Sequence, residues 1–505
     1  MLVEILVCFS IVLLLYQRWV KRDIYKLGAQ LNSGVRTFPF IGHSYLFFGD
    51  NHARMNGFQT LGRDAISKEN GLTSMWHGNH LFTMIADAEA AEFVLKTCLE
   101  KDDIMKLSTL FVGNGSIFAP VSIWRPRRKV LVPCFGTRNL KTFMSIFVKQ
   151  SAILVNRIGK MAGTGPLSAW KYYTAYTMDA IAESTLGYQM GAQNDTRHPF
   201  LKAVEDGLAR NAERVCQPWL HSDLVYTNLP IYPKLVAYKD FMWDFVLKLI
   251  KAKREEIKEN DEIQKNNEGS SERTSSTFME SLIRISGGDG GYTDVEIIEE
   301  LMVIMVAGND TSAVGSSFVS LMLSRHPDVQ EKVYEELQEV FGDSDRAATF
   351  EDLPRLKYLD AVIRETLRLY PPVPVITRKI VEAVTLPSGI KIVPGSGIIV
   401  NIWALHRNPR YWGCDAEQFR PERFLDAPPT HPAAFMPFSH GPRNCVGYQY
   451  AMTSMKTVVS SLLRRYKLLP ATAPDEKGSH RPIRLKFDLM MKDDDDFQIQ
   501  IEARS

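Results

Sequence analysis

No two cysteines in this chain form a CxxC pair. The six present, Cys8, Cys98, Cys134, Cys216, Cys414 and Cys445, are scattered along 505 residues. That scatter argues against a disulfide framework and against a zinc site built on paired thiols. A charge excess is missing too: the net charge is +2, and Lys and Arg are spread out rather than massed in a tail. Nothing therefore points to nucleic acid as a partner. No internal repeat is evident. What is present, 45% apolar and 23% charged residues, fits a globular protein, and the length allows about three domains.

The N-terminus, LVEILVCFSIVLLLYQRWVKR, has no positive charge ahead of its apolar run; Arg18, Lys21 and Arg22 come after it. A secretory signal would have the charge first and a small-residue cleavage site. A spanning helix needs about 20 apolar residues, with about 17 tolerated. The run is short but adequate if its ends sit at the interface. The charge order predicts a retained transmembrane anchor over residues 1–22 with the body on the cytoplasmic side. The sequons at Asn114, Asn194 and Asn309 would then stay bare.

Past a Pro/Gly entry, RTFPFIGH, the pattern predicts a mostly helical stretch to about residue 250. A charged, Asn/Ser-rich passage over 251–277 reads as a helix end running into an exposed linker. Thr293 and Glu296 make a capping box ahead of a run that is apolar on almost every face up to His326-Pro327, which predicts a long buried helix. Gly308, Asn309 and Asp310 interrupt it, so it is not a second membrane span. HPDVQEKVYEELQEVF, LKYLDAVIRETLRLYPP and YQYAMTSMKTVVSSLLRRYKL read as further helices, and VTLPSGIKIVPGSGIIVN as small β-hairpins. The fold class is mainly α, an α-rich α+β body with minor sheet.

The stretch FSHGPRNCVG holds one Cys in a stiff, polar setting. A thiol just before a helix start, with backbone N–H groups turned toward it, is stabilised as thiolate. Gly441 and Gly447 permit tight turns and close approach to a flat partner, and Arg443 is suited to a carboxylate on that partner. An isolated Cys in such a turn would more often be a packing residue. The spacing Phe438-x-x-Gly441-x-Arg443-x-Cys445-x-Gly447 is what resembles the heme-binding loop of the cytochrome P-450 superfamily. Three other stretches agree in order. AGNDTS, Ala307 to Ser312, resembles the oxygen-activation motif, with Asp310 and Thr311 as its acid–alcohol pair. Gly308 lacks a Cβ, which opens room beside a planar cofactor, and Thr311 is placed to bond back to the preceding turn. Glu365 and Arg368, one helical face apart, match the ExxR pair, which Arg423 of PERF would join. Trp124 and Arg128 in WRPRRK match the WxxxR element near a heme propionate, for which Arg378, His440 and Arg443 are further candidates. Taken alone, each of these has a plainer reading: a helix kink, a surface ion pair, a solvated charge.

The resemblance covers the chain from its anchor to about residue 490. It is closest to the microsomal, animal-type members, and WALHRNPRYW and FMPFSHGPRNCVG are similar to the fourth family as expanded in insects. It implies heme b with its iron axially ligated by Cys445, and a single catalytic domain over 23–505. It also implies a monooxygenase that inserts one oxygen atom from dioxygen into a small hydrophobic substrate, by hydroxylation or epoxidation of a fatty acid, terpenoid, steroid, pheromone or xenobiotic. The implied partners are an NADPH-cytochrome P-450 reductase, cytochrome b5 as a second donor, and the endoplasmic reticulum membrane. Arg127, Lys129, Lys456 and Arg464 are expected to steer docking of the electron donor. Substrate contacts are expected from Ser108–Phe118, from the long helix before Gly308 and from Pro372–Ile376. One position departs from the pattern. Many fourth-family members carry Glu before the motif's Gly, where it can ester-link the heme; here it is Ala307, so no such link is expected. A heme-thiolate isomerase or dehydratase, or a non-catalytic heme-binding sensor, are the other classes, and the intact Asp310–Thr311 pair argues against both.

Overall fold

The computed structural model describes residues 1, 4–5, 8, 12, 16, 18–195, 197–266, 277–286, 291–426, 429–473, 475 and 480–504. The chain forms two interleaved compact units. The first comprises Met1–Asp103, Val375–Ala416 and Pro429–Asn444, and the second Ile104–Pro374, Glu417–Pro428 and Cys445–Ser505. Most of the apolar run expected to form the anchor lies outside the described residues. Among the described residues no helix is long and apolar enough to cross a membrane.

The first unit is built on a four-stranded sheet. Strands β1 (Leu72–His77) and β2 (His80–Ile85) pair antiparallel, from Leu72↔Ile85 to His77↔His80. Their turn is Gly78-Asn79, with Gly78 at φ 56°, the left-handed conformation that two-residue hairpin turns require. This hairpin is sheet within the stretch up to residue 250 expected to be mostly helical: LTSMWH-GN-HLFTMI carries β-branched and aromatic residues around a turn signal. Strand β2 runs parallel to β4 (Gly397–Asn401), which pairs antiparallel with β3 (Val375–Lys379). The predicted hairpin before β4 is present as a short pair, Val384–Thr385 with Lys391–Ile392. Helix α1 (Ala88–Thr97) starts at Asp87, whose side chain accepts from Ala90 N–H.

The second unit is helical around α6 (Asp294–Arg325). Its capping box forms as expected, with the Thr293 and Glu296 side chains each bonded to the other's backbone N–H. Labelled in chain order, its neighbours include α2 (Val121–Cys134), α3 (Ala169–Leu186), α4 (Pro199–Cys216), α5 (Tyr232–Asn266), α7 (Lys357–Leu369) and α8 (Tyr448–Leu463). Helix α6 packs most extensively on α3. The charged passage at 251–277 begins as the last turns of α5; residues 267–276 lie outside the described residues. Helix α8 stops at Leu463, and Tyr466–Pro470 is a strand paired with Gln498–Ala503, where the sequence had suggested continued helix. Near the C-terminus, β5 (Leu485–Asp488) and β6 (Met490–Asp493) form a tight hairpin.

Candidate active site

In the second unit, α6 is buried at every residue from Ile297 to Ser324 except Val306, Ala307, Gly308 and Thr311. The partly open stretch is therefore the glycine-containing motif itself. Gly308 has a packing role that its sequence did not disclose: a Cβ there would come 2.8 Å from Ile181 Cδ1 of α3. Asn309 fixes the same contact from the next position, donating to Thr174 O at 2.7 Å and to Thr177 Oγ1 at 2.9 Å. Only 1% of Asn309 is exposed, so that sequon is inaccessible in the fold. Thr311 Oγ1 donates to Ala307 O, one turn back, at 2.7 Å. Asp310 is buried and ion-paired to Lys492 of β6, a partner the sequence gave no sign of.

Cys445 stands three residues before the first residue of α8, and Gly447 is that helix's N-cap. Cys445 is exposed by accessible surface, yet the protein packed around its sulfur pushes the thiol up; the Gly447 N–H and the charge of Arg128 pull it back. The helix-start geometry expected for the Cys is present, but this desolvation is the larger influence. Gly447 has φ −89°, so no turn demands glycine. A Cβ built on it would lie 3.9 Å from Cys445 Sγ, an ordinary contact. Trp124 is buried and Arg128 half-buried on α2.

Arg127, one residue along, is buried rather than available for docking. It pairs with Glu296 at 3.1 Å, Glu299 at 3.2 Å and Glu300 at 2.9 Å. Those carboxylates in turn accept Asn114 N–H and Ser116 N–H, pinning the 113–116 turn to α6. Lys456 is likewise tied down, 2.8 Å from Asp360, and Arg464 Nη1 donates to Arg346 O at 2.9 Å. The ExxR pair is fully buried at 0% exposure, with Arg368 Nε and Nη2 donating to the two Glu365 oxygens at 2.7 and 2.8 Å. Arg423 approaches Glu365 at 3.4 Å, and Arg368 also donates to Gln418 O.

In the first unit, Arg378 on β3 is 1% exposed. Its Nη1 donates to Thr377 O at 2.8 Å, while Nε and Nη2 have no partner among the described residues. Burial pulls this guanidinium down to about 10. A buried cation with two orphaned donors needs an anion. Arg443 is buried nearby and donates to Leu99 O at 3.0 Å. Lys101 belongs to the same group: burial, Arg378 and Arg443 all push its ammonium well below the usual range. Lys101 was not foreseen, because in EKDD it reads as a solvated charge. Three cations gathered at one place fit the two carboxylates of a heme. His440 does not join them; its Nε2 lies 3.3 Å from Glu92 Oε1 on α1, and His431 Nε2 lies 3.6 Å from the other oxygen. Phe438 is half-buried at the head of the loop. Gly441, at φ +73°, lies where a Cβ would strike Leu95 O at 2.5 Å, so its close approach is to α1.

A largely helical chain with a thiol at a helix start, a glycine-broken buried helix and a cluster of buried cations has the parts of a heme-thiolate oxygenase. The comparisons agree. The sequence profile described as Cytochrome P-450 matches residues 37–492, and the chain belongs to that family. It is 32% identical over 483 residues to cytochrome P-450 4d2 of Drosophila melanogaster, covering 93% of each chain. It is 30% identical over 478 residues to human cytochrome P-450 4V2 (93% of this chain, 89% of that one). With cytochrome P-450 4c21 of Blattella germanica it shares 29% over 509 residues, 99% of this chain and 98% of that one. These relatives are fourth-family members, insect ones among them. The chain is a cytochrome P-450 monooxygenase with a cysteine-ligated heme, and NADPH reaches it through a reductase.

Proposed function

We propose that this enzyme hydroxylates or epoxidises a small hydrophobic substrate, and that Cys445 is the residue that would hold the iron of heme b. Heme, when bound, supplies dioxygen binding and oxygen-atom insertion. The chain's own residues do the rest. In the first unit Arg378, Arg443 and Lys101, and in the second Trp124 and Arg128, are the residues that would hold the propionates. Ala307 leaves room beside the cofactor, Gly308 lets α6 close on Ile181 of α3, and Val306 turns an apolar side chain to the substrate. Asp310 and Thr311 pass protons inward from water. Substrate contacts come from the 108–118 segment and from Pro372–Ile376, apolar stretches suited to a fatty acid, terpenoid, steroid, pheromone or xenobiotic. Ala307 has no carboxyl to esterify, so the heme is held without that covalent link. Residues 1–22 anchor the chain in the endoplasmic reticulum membrane with the body on the cytoplasmic side, where the reductase and cytochrome b5 deliver electrons.

The observation that carries this reading is the opening of α6 at Val306, Ala307, Gly308 and Thr311 and nowhere else between Ile297 and Ser324. The test is the carbon-monoxide difference spectrum of the dithionite-reduced protein. A strongly red-shifted Soret band in the wild type, lost in Cys445→Ala, is expected. A band at the ordinary heme-protein position in a correctly loaded wild type would overturn the thiolate assignment.

A further inference from the structure

Asp310 carries one cation and one unused oxygen. Lys492 Nζ lies 2.9 Å from Oδ1, and the two side chains are 5% and 3% exposed. Asp310 Oδ2 is buried with no partner among the described residues. The ammonium is itself fixed from two sides. It sits 4.2 Å from the centroid of the Trp170 ring on α3, and β6 is tied down by its pairing with β5 and by Met491 N–H donating to Pro372 O at 2.8 Å. One other charged group within electrostatic reach of both members of this pair is Glu205 on α4.

We propose that Lys492 is the positioning residue of the Asp310 relay, holding the carboxylate by Oδ1 so that Oδ2 is left to take up and hand on protons. The inference rests on the reading of Asp310 and Thr311 as a proton relay. A proton from water adds to Oδ2 and makes the acid; its loss toward the Thr311 hydroxyl restores the carboxylate, and the lysine keeps its three protons throughout. Without the cation, a carboxyl this deeply buried takes a proton and keeps it, because the charged form has lost its compensation. A relay already filled cannot accept the next proton. Lysine is suited to this: it is a compact charge on a flexible stem, supplying one strong donor to Oδ1.

The experiment uses the full-length, heme-loaded chain with its reductase, and compares Lys492→Met and Lys492→Arg. The first readout needs no turnover. The infrared spectrum of the ferric protein should gain a carboxylic-acid band in Lys492→Met, absent from wild type and Lys492→Arg and removed again in Lys492→Met/Asp310→Asn. The second is hydrogen peroxide released per NADPH consumed, with dodecanoic acid as the probe. It should rise several-fold in Lys492→Met, with a larger solvent isotope effect, and return most of the way in Lys492→Arg. A merely structural lysine would lower stability and leave both readouts at wild-type values, which would overturn the proposal. Should Lys492→Met fail to take up heme, Lys492→Arg decides: a peroxide yield as high as that of Asp310→Asn would overturn it, since the positive charge is kept. Asp310→Asn and Thr311→Ala separate the two readings. If both leave peroxide release unchanged, the relay itself is wrong; if both raise it and Lys492→Met does not, the lysine assignment alone fails.

Discussion

Two glycines of the site motifs make the point at the scale of single residues. Gly441 is held at φ +73° with a backbone oxygen 2.5 Å from its missing Cβ. Neither the dihedral nor a carbonyl can give way cheaply. Gly441→Ala should cost roughly 1–3 kcal/mol in strain and displace the loop that leads to Cys445. The check is thermal unfolding together with heme retention on dilution. Gly308→Ala meets only the tip of the Ile181 side chain, and alanine gains about 1 kcal/mol of helix propensity over glycine. Its net effect on unfolding should be within about 1 kcal/mol, with any loss appearing in activity. The order of the two substitutions, not the absolute values, is what the measurement decides. From the sequence both looked alike as small residues beside a cofactor; the difference lies in what faces each one.

At the scale of elements, the 113–116 turn is fastened to α6 by one arginine among three glutamates. Burial raises the Glu300 carboxyl, opposed by its bonds to Ser116 and by Arg127. Arg127→Met would strand buried carboxylates, at a cost of about 3–5 kcal/mol. In the variant those groups take protons more readily than in the unfolded chain, so the deficit should be largest at neutral pH and shrink as pH falls toward 5. Denaturant titrations at the two pH values read this directly; a deficit independent of pH would mean that lost packing dominates. The C-terminal hairpin has the opposite feature. Asp493 accepts Phe497 N–H at 2.7 Å, yet burial pushes its carboxyl up to about 6. The folded state therefore binds a proton more tightly than the unfolded one. This group's contribution is most favourable below about pH 4 and declines as pH rises to about 6. Asp493→Asn keeps an acceptor for Phe497 and removes the titration. It should stabilise the chain by up to about 2 kcal/mol at pH 7 and by little at pH 4.

At the scale of the whole molecule, what was legible in the sequence was local. The capping box at Thr293, the long buried helix, the ExxR pairing and the helix after Cys445 are set by neighbours three or four residues apart. The β1–β2 hairpin was equally local, and was missed only because helix was read through its Gly-Asn turn. Not legible were the partners brought from afar: Lys492 against Asp310, Glu92 against His440, and the glutamates that take Arg127 out of the docking surface. No spacing rule connects residues about 180 or 350 positions apart. The N-terminal anchor has yet another status, since it depends on composition and charge order alone. If residues 1–22 cross the membrane with Arg18, Lys21 and Arg22 on the cytoplasmic side, the full chain in microsomal vesicles should resist carbonate extraction. Protease added outside should then destroy the body and leave only a short N-terminal fragment protected. Protection of the entire chain would put the body in the lumen, away from the reductase and with the Asn114 and Asn194 sequons open to glycosylation. Complete release by carbonate would instead mean that the apolar run lies along the surface, where lipid headgroups rather than a spanning helix hold the enzyme.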